Sequence, residues 1–169
     1  MLIRPATPAD AAGMLAIYSP IVQNTTISFE LVPPTLQEFE ERVKKSAGRW
    51  AWLVAERDGE ILGYAYGSSH RERLAYKWST ETSAYVHPSA RGQGLGKRLY
   101  QALFPLLADK GYCNAYAGIA MPNDASVALH QAVGFRAIGQ FPSVGRKFGK
   151  WHDVAWFHRT LREHPPSEA

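Results

Sequence analysis

Cysteine is nearly missing from this chain. Cys113 is the only one among 169 residues, which excludes an intrachain disulfide and a cysteine-based zinc site. No metal is expected. Apolar runs are too short and too interrupted to cross a bilayer, and the opening Met1-Leu2-Ile3-Arg4-Pro5 lacks the apolar stretch of a secretory leader. A cytoplasmic location with no membrane partner is therefore expected. No run of five or more basic residues occurs. Nineteen basic and fifteen acidic residues give a formal charge of +4, and the basic ones do not form a stripe with aromatics, which argues against nucleic acid. Internal repeats and interdomain linkers are absent. The expectation is one domain over residues 1–163, followed by a Pro-rich, frayed tail over 164–169.

Two familiar phosphate loops are also absent. In the Gly-x4-Gly-Lys-Ser/Thr pattern, Arg91 stands at the first glycine and Arg98 follows Lys97. In the Gly-x-Gly-x-x-Gly pattern, Lys97 takes the third glycine's place. What is present is Arg91-Gly92-Gln93-Gly94-Leu95-Gly96-Lys97, after a strand-like run and before a helix-like one. Glycines there let backbone approach a ligand, and amides at a helix N-terminus suit phosphate oxygens. A phosphate-bearing cofactor is one reading; an ordinary helix start is the other. The basic cluster Arg146/Lys147/Lys150 reads as solvated surface charge.

Patterning predicts a strand at Leu2–Arg4 and a helix opened by Thr7-Pro8-Ala9-Asp10, with Met14, Ile17, Tyr18, Ile21 and Val22 inward. Pro20 is expected to kink or divide it. Thr35-Leu36-Gln37-Glu38 is a capping box, and Leu36, Phe39 and Val43 form the second helix's inner stripe. Strands at Trp50–Glu56 and Ile61–Gly67 flank an Asp58-Gly59 turn. His70–Lys77 is irregular. A strand at Thr80–Val86, a helix at Leu95–Lys110 bent near Pro105, a strand at Asn114–Ile119 and a short helix ending at Gly134 follow. Phe135–Val144 and Trp151–Leu161 close the chain as an antiparallel pair. The order predicts an α/β (α+β) mixed sheet with helices on both faces.

The R-x-x-G-x-G loop is the pattern of acetyl-CoA-binding N-acetyltransferases of the GNAT superfamily. Three further blocks join it: Ala75 to Val86, Met121 to His130 and Gly149 to Val154. Together they closely resemble the phosphinothricin and methionine sulfoximine N-acetyltransferases, over Ile3 to Leu161. The resemblance implies a GNAT-type, mostly antiparallel sheet whose central strands splay beyond a bulge. It also implies acetyl transfer from acetyl-CoA to the α-amine of a small amino-acid-like acceptor.

That chemistry needs a base for the ammonium group and a partner for the developing oxyanion. Glu81, a carboxylate in an otherwise uncharged strand, is the candidate base, directly or through water; partial burial would raise its pKa. The resemblance puts a catalytic glutamate there. Backbone of Ala84, Tyr85 and Val86 is expected along the pantetheine arm, and Tyr85 either lines the acceptor site or packs in the core. Arg91, Gly92, Gln93, Gly94, Leu95, Gly96 and Lys97 are expected around the diphosphate. Carried over from the resemblance, Asn123 is a cofactor contact or a helix cap. His130 stands where many superfamily members have a tyrosine; it is a general acid or only a cofactor neighbour. For the acceptor, Arg73 suits a carboxylate, Phe29 and Glu30 a closing wall, and Tyr76, Lys77 and Trp78 are neighbours. His152 and Asp153 face opposite ways and read as structural. Cys113 falls away from the cleft, so transfer is expected by direct attack in a ternary complex. Aromatics between Trp151 and Phe157 suggest a homodimer. Polyamine, aminoglycoside or protein N-terminal acceptors, and a non-catalytic CoA-binding module, are the alternatives.

Overall fold

Caps and alternating side chains set the order of elements along the chain. The computed structural model describes residues 1–167, with backbone alone at residue 47. Of the expected tail, 164–167 are exposed and 168–169 lie outside the described residues. Strand β1 (Leu2–Pro5) leads through a 3-10 turn, Pro8–Asp10, into helix α1 (Ala11–Asn24). Arg4 ties this start together, reaching Asp10 and Glu56 at 2.7 Å each. Helix α1 runs through Pro20 undivided. Pro20 is exposed while Met14, Ile17, Tyr18, Ile21 and Val22 are buried; the missing hydrogen bond falls on the solvent side, and packing holds the rest. Helix α2 (Leu36–Ala47) starts on the expected box, with Thr35 Oγ1 accepting from Glu38 N and Thr35 N donating to Glu38 Oε2 at 2.7 Å. Phe39 and Val43 face inward, but Leu36 is exposed.

Strands β2 (Trp52–Arg57) and β3 (Glu60–Ser69) turn at Asp58-Gly59. Both residues have positive φ, 55° and 83°, the geometry a two-residue hairpin loop favours. Strand β4 (Ser79–Val86), helix α3 (Leu95–Asp109), strand β5 (Asn114–Ala120), helix α4 (Asp124–Ala132), and strands β6 (Arg136–Lys147) and β7 (Lys150–Thr160) complete the chain. Helix α3 also continues through an exposed Pro105.

The strands form one seven-stranded sheet in the order β1-β2-β3-β4-β5-β7-β6. All pairs are antiparallel except β4–β5. Alternation splits the core in two. Trp52, Val54 and Tyr64 pack on α1 and α2; Leu53, Ala55 and Ala65 pack with the inner face of α3.

One seam of this sheet stays open. Strands β4 and β5 pair only at Ser79–Asn114, Thr80–Ala115 and Glu81–Tyr116. Beyond that rung β4 remains bonded to β3 as far as Val86, and β5 to β7 as far as Ala120. The splay implied by the resemblance is present. The bulge is not: β4 keeps register with β3 from Thr80 to Val86. Each strand retains its outer partner, so the shared seam opens without an inserted residue.

Of the Arg146/Lys147/Lys150 cluster, only Arg146 and Lys150 are solvated surface charges. Lys147 is 4% exposed, and its Nζ donates to Val22 O and Ser28 O at 2.7 Å each. It fastens the β6–β7 hairpin to the end of α1 and the loop beyond. Charge patterning gives no sign of this, because both acceptors are backbone carbonyls more than 100 residues away in sequence.

Candidate active site

The open seam is built from backbone first. His87 N–H bonds Leu62 O on the β3 side, while Trp78 O accepts from Cys113 N on the β5 side. Strand alternation then points the amides and carbonyls of Thr82, Ala84 and Val86 into the gap. The gap forms a small cleft of about 50 Å³, lined among others by Thr82, Ala84, Tyr100, Asn123, Ser126 and His130. It continues into a groove of about 470 Å³ that reaches Val86, Arg91, Gly94, Lys97 and Leu129. Ile27, Ala84, Tyr85, Asn123 and Ser126 line both. Thr82 Oγ1 is buried in the cleft beside the Tyr100 hydroxyl.

At the far end of the groove lies the glycine loop. Gly92 and Gly94 both have φ of 73°, and an added Cβ would meet nothing within 4 Å at either. These residues are required by backbone conformation rather than by crowding. Gly94 is the N-cap of α3, so the first-turn amides have no intrahelical acceptors and face the groove's mouth. Gly96 differs: a Cβ there would stand 2.9 Å from Leu129 Cδ2, so it lets α3 and α4 approach each other. Leu95 is buried and anchors the loop in the core. Gln93 Nε2 turns back to Ser89 O at 2.9 Å, and Arg91 Nε reaches Val86 O at 3.3 Å. Arg91 and Lys97 are exposed cations beside the loop. Together with the free strand amides, this fits a long ligand with a diphosphate at one end.

On α4, Asn123 Oδ1 caps the helix by accepting from Ser126 N at 3.1 Å, and Asn123 also lines the cleft. His130 is buried, with Nδ1 2.7 Å from Ser126 O and Nε2 3.0 Å from Tyr100 Oη. A carbonyl only accepts, so Nδ1 carries the proton and Nε2 accepts from the Tyr100 hydroxyl. Burial lowers the His130 pKa and raises that of Tyr100. Both are therefore neutral at pH 7, and the Tyr100–His130 hydrogen bond lies at the cleft. Tyr100 carried no signal in the sequence beyond its place on the apolar stripe of α3.

Glu81 sits on the last paired rung before the strands part. Its side chain is 28% exposed, and burial, opposed by His70 and Arg71, raises its pKa. Oε2 lies 3.0 Å from His70 Nδ1 and 3.6 Å from Arg71 Nη1. Ser83 and Tyr85 follow on the same face. Tyr85 packs edge-on against Tyr18 at 5.2 Å and near Tyr64 at 5.3 Å while lining cleft and groove. Tyr76 stands 5.8 Å from the His70 ring.

Other expected acceptor residues are placed further off. Arg73 is exposed and precedes the 3-10 turn Leu74–Tyr76; Arg71 is the arginine beside Glu81. Trp78 lies against Gly111 on the opposite face from Glu81, with Lys77 Nζ 4.7 Å above its ring. Phe29 meets the β6–β7 hairpin, 6.2 Å from the His152 ring. Glu30 is held by Arg42 at 2.5 and 3.0 Å and by the Tyr18 hydroxyl. His152 Nε2 pairs with Lys147 O, and Asp153 accepts from Ser143 N and Gln140 Nε2. Cys113 is buried outside the cleft.

A GNAT acetyltransferase domain matches residues 3–156. The chain belongs to the GNAT acetyltransferase family. It is 38% identical over 157 residues to phosphinothricin N-acetyltransferase of Streptomyces viridochromogenes, covering 93% of this chain and 86% of that protein. It is 37% identical to the L-methionine sulfoximine/L-methionine sulfone acetyltransferase of Pseudomonas aeruginosa, covering 94% of each. A phosphinothricin acetyltransferase from Sinorhizobium meliloti, solved in complex with acetyl-CoA, superposes with a TM-score of 0.92 at 34% identity, over 99% of this chain and 91% of that one.

Proposed function

We propose that this enzyme moves acetyl from acetyl-CoA to the α-amine of a small amino-acid-like acceptor of the phosphinothricin, methionine sulfoximine or methionine sulfone type. The observation that carries this is the open β4–β5 seam, with Glu81 on its last closed rung and the glycine loop of α3 at its far end. Acetyl-CoA, when bound, supplies the acetyl thioester. The chain's residues do the rest. Loop amides with Arg91 and Lys97 hold the diphosphate, and the free backbone groups of Thr82 and Ala84, with the Val86 amide, hold the arm. Glu81, its pKa raised by burial, takes a proton from the acceptor's ammonium group. In the resting site the Tyr100 hydroxyl donates to His130 Nε2; as the thiolate leaves, that hydroxyl turns to the sulfur and gives up its proton, and His130, neutral with its only proton turned to Ser126 O, acts by holding Tyr100 at the cleft. Arg71 and the more distant Arg73 provide cations for the acceptor's acid group and disfavour polycationic acceptors. No cysteine is near enough to carry acetyl, so attack is direct.

The catalytic domain is read as 1–163 and the location as cytoplasmic. A second copy is read as covering β6, an exposed edge strand with Ile138, Phe141 and Val144 at 57%, 45% and 51% exposure; an edge of that length invites pairing. Light scattering checks the homodimer.

The test of function is thiol release from acetyl-CoA with methionine sulfoximine, methionine sulfone, phosphinothricin and spermidine. At least one amino-acid acceptor should turn over and spermidine should not. Glu81→Gln should fold and lose about 10²-fold or more in turnover. Preference for spermidine, or wild-type turnover by the Gln variant, would overturn the reading.

A further inference from the structure

One histidine beside the candidate base has no task in the mechanism above. His70 directly follows Ser69, the last residue of β3. Its ring is pinned on three sides. It stacks on Tyr116 with centroids 4.8 Å apart and planes within 20°, and meets Tyr76 and Trp156 edge-on at 5.8 and 6.3 Å. So held, it presents Nδ1 to Glu81 Oε2 at 3.0 Å. The other approach to that oxygen, Arg71 Nη1 at 3.6 Å, is too long for a hydrogen bond, and Arg71 Nη1 donates instead to His70 O at 2.8 Å. Oε1 accepts no hydrogen bond among the described residues.

A glutamate has freely turning side-chain bonds, and a base that wanders loses the near-attack arrangement. Resting on the reading of Glu81 as base, we propose that His70 is its positioning residue: the clamped imidazole donates Nδ1–H to Oε2, fixes the carboxylate against β4, and leaves Oε1 to take the acceptor's proton. The donor geometry suits an ionised carboxylate better than a protonated one. Around Glu81 the titratable and charged groups are His70 and Arg71 from the β3–β4 connection, Tyr76 behind His70, and Tyr116 from β5 with His158 of β7 5.1 Å behind it. Burial raises the Glu81 pKa and the His70 bond opposes that rise. Removing the donor therefore moves the acid limb of kcat/KM to higher pH.

His70→Phe keeps a ring to stack on Tyr116 and removes the donor; His70→Asn puts an amide N–H at the level of Nδ1. With the best acceptor, His70→Phe is expected to lose about tenfold in kcat, the scale of one hydrogen bond. Its acetyl-CoA KM should stay within about twofold, and its acid limb should rise. His70→Asn should recover most of the rate and the wild-type limb. In a Glu81→Gln background His70→Phe should add no further loss. Wild-type kcat and limb in His70→Phe, or equal losses with an unmoved limb in both variants, would overturn the positioning role. A dead Glu81→Gln with an unaffected His70→Phe defeats this proposal alone; a fully active Glu81→Gln defeats the base assignment and this role with it. If His70→Phe does not fold, His70→Asn against His70→Gln carries the comparison, since the Gln amide reaches the level of Nε2. Equal rates in those two would refute it.

Discussion

Lys147→Met isolates the fastening between the β6–β7 hairpin and the loop after α1. Methionine keeps most of the stem and deletes the ammonium group. Two carbonyls, Val22 O and Ser28 O, each 2.7 Å from Nζ, would then be left in a buried place without their donor. A hydrogen bond to a charged group contributes about 1.5–3 kcal/mol, and an unsatisfied buried acceptor costs about 1–3 kcal/mol. Two such bonds, less the relief of no longer burying a cation, give a net loss of about 2–4 kcal/mol. For a chain of this size that is a fall in Tm of about 4–16 °C. Lys150→Met at the neighbouring exposed position is the control and should stay within about 0.5 kcal/mol. Urea unfolding and thermal scans of both variants measure the difference. The same loop carries Phe29 and Glu30, so the acceptor KM of Lys147→Met should rise more than its acetyl-CoA KM. A Lys147→Met protein as stable as Lys150→Met would show that the two carbonyls find water or new partners at no cost, and the fastening would carry no weight.

Activity of the wild-type enzyme should fall as pH drops through the pKa of Glu81, which burial raises above its ordinary value; a kcat/KM profile whose acid limb lies within the ordinary carboxylate range would contradict that environment. The stability sign is opposite. A carboxylate whose folded pKa is raised favours folding below its unfolded pKa and loses that contribution as pH rises through the folded one, so Glu81→Gln should not lower Tm at pH 7. Gly94→Val forces a branched side chain into φ of 73°, and should raise the acetyl-CoA KM about tenfold or more with a smaller change in kcat once saturated; isothermal titration with CoA checks it, and unchanged affinity in a folded variant would count against the loop. Tyr100→Phe removes the hydroxyl on His130 Nε2 and should cost about 10–10³ in kcat with acetyl-CoA KM within a few-fold; full activity would shift the proton to another donor.

Local rules made the elements legible. The Thr35 box, the Asp58-Gly59 turn and the glycine stop after α4 all act within a few residues, and each stands where its sequence puts it. Pro20 does not divide α1, and α3 runs on past Pro105, because a buried stripe on the opposite side of each helix outweighs one lost bond. Contacts made across the sheet were not legible. His70 and Glu81 meet because β3 and β4 pair Ser68 with Glu81; no spacing rule announces that the residue after a strand will fold back on a carboxylate eleven positions on. Tyr100 and His130 meet because Gly96 lets α3 and α4 close on each other, and in sequence Tyr100 is one more apolar residue on a helix stripe. Lys147 reads as a surface charge until its acceptors are known. The motifs therefore point to the backbone proposed to hold the cofactor, whereas the groups proposed to orient the base and supply the proton emerge only from the packing. This is why His70 and Tyr100, rather than Lys77 or Trp78, stand beside the groups assigned to the chemistry: position on a sheet face, set by alternation and register, outranks nearness along the chain.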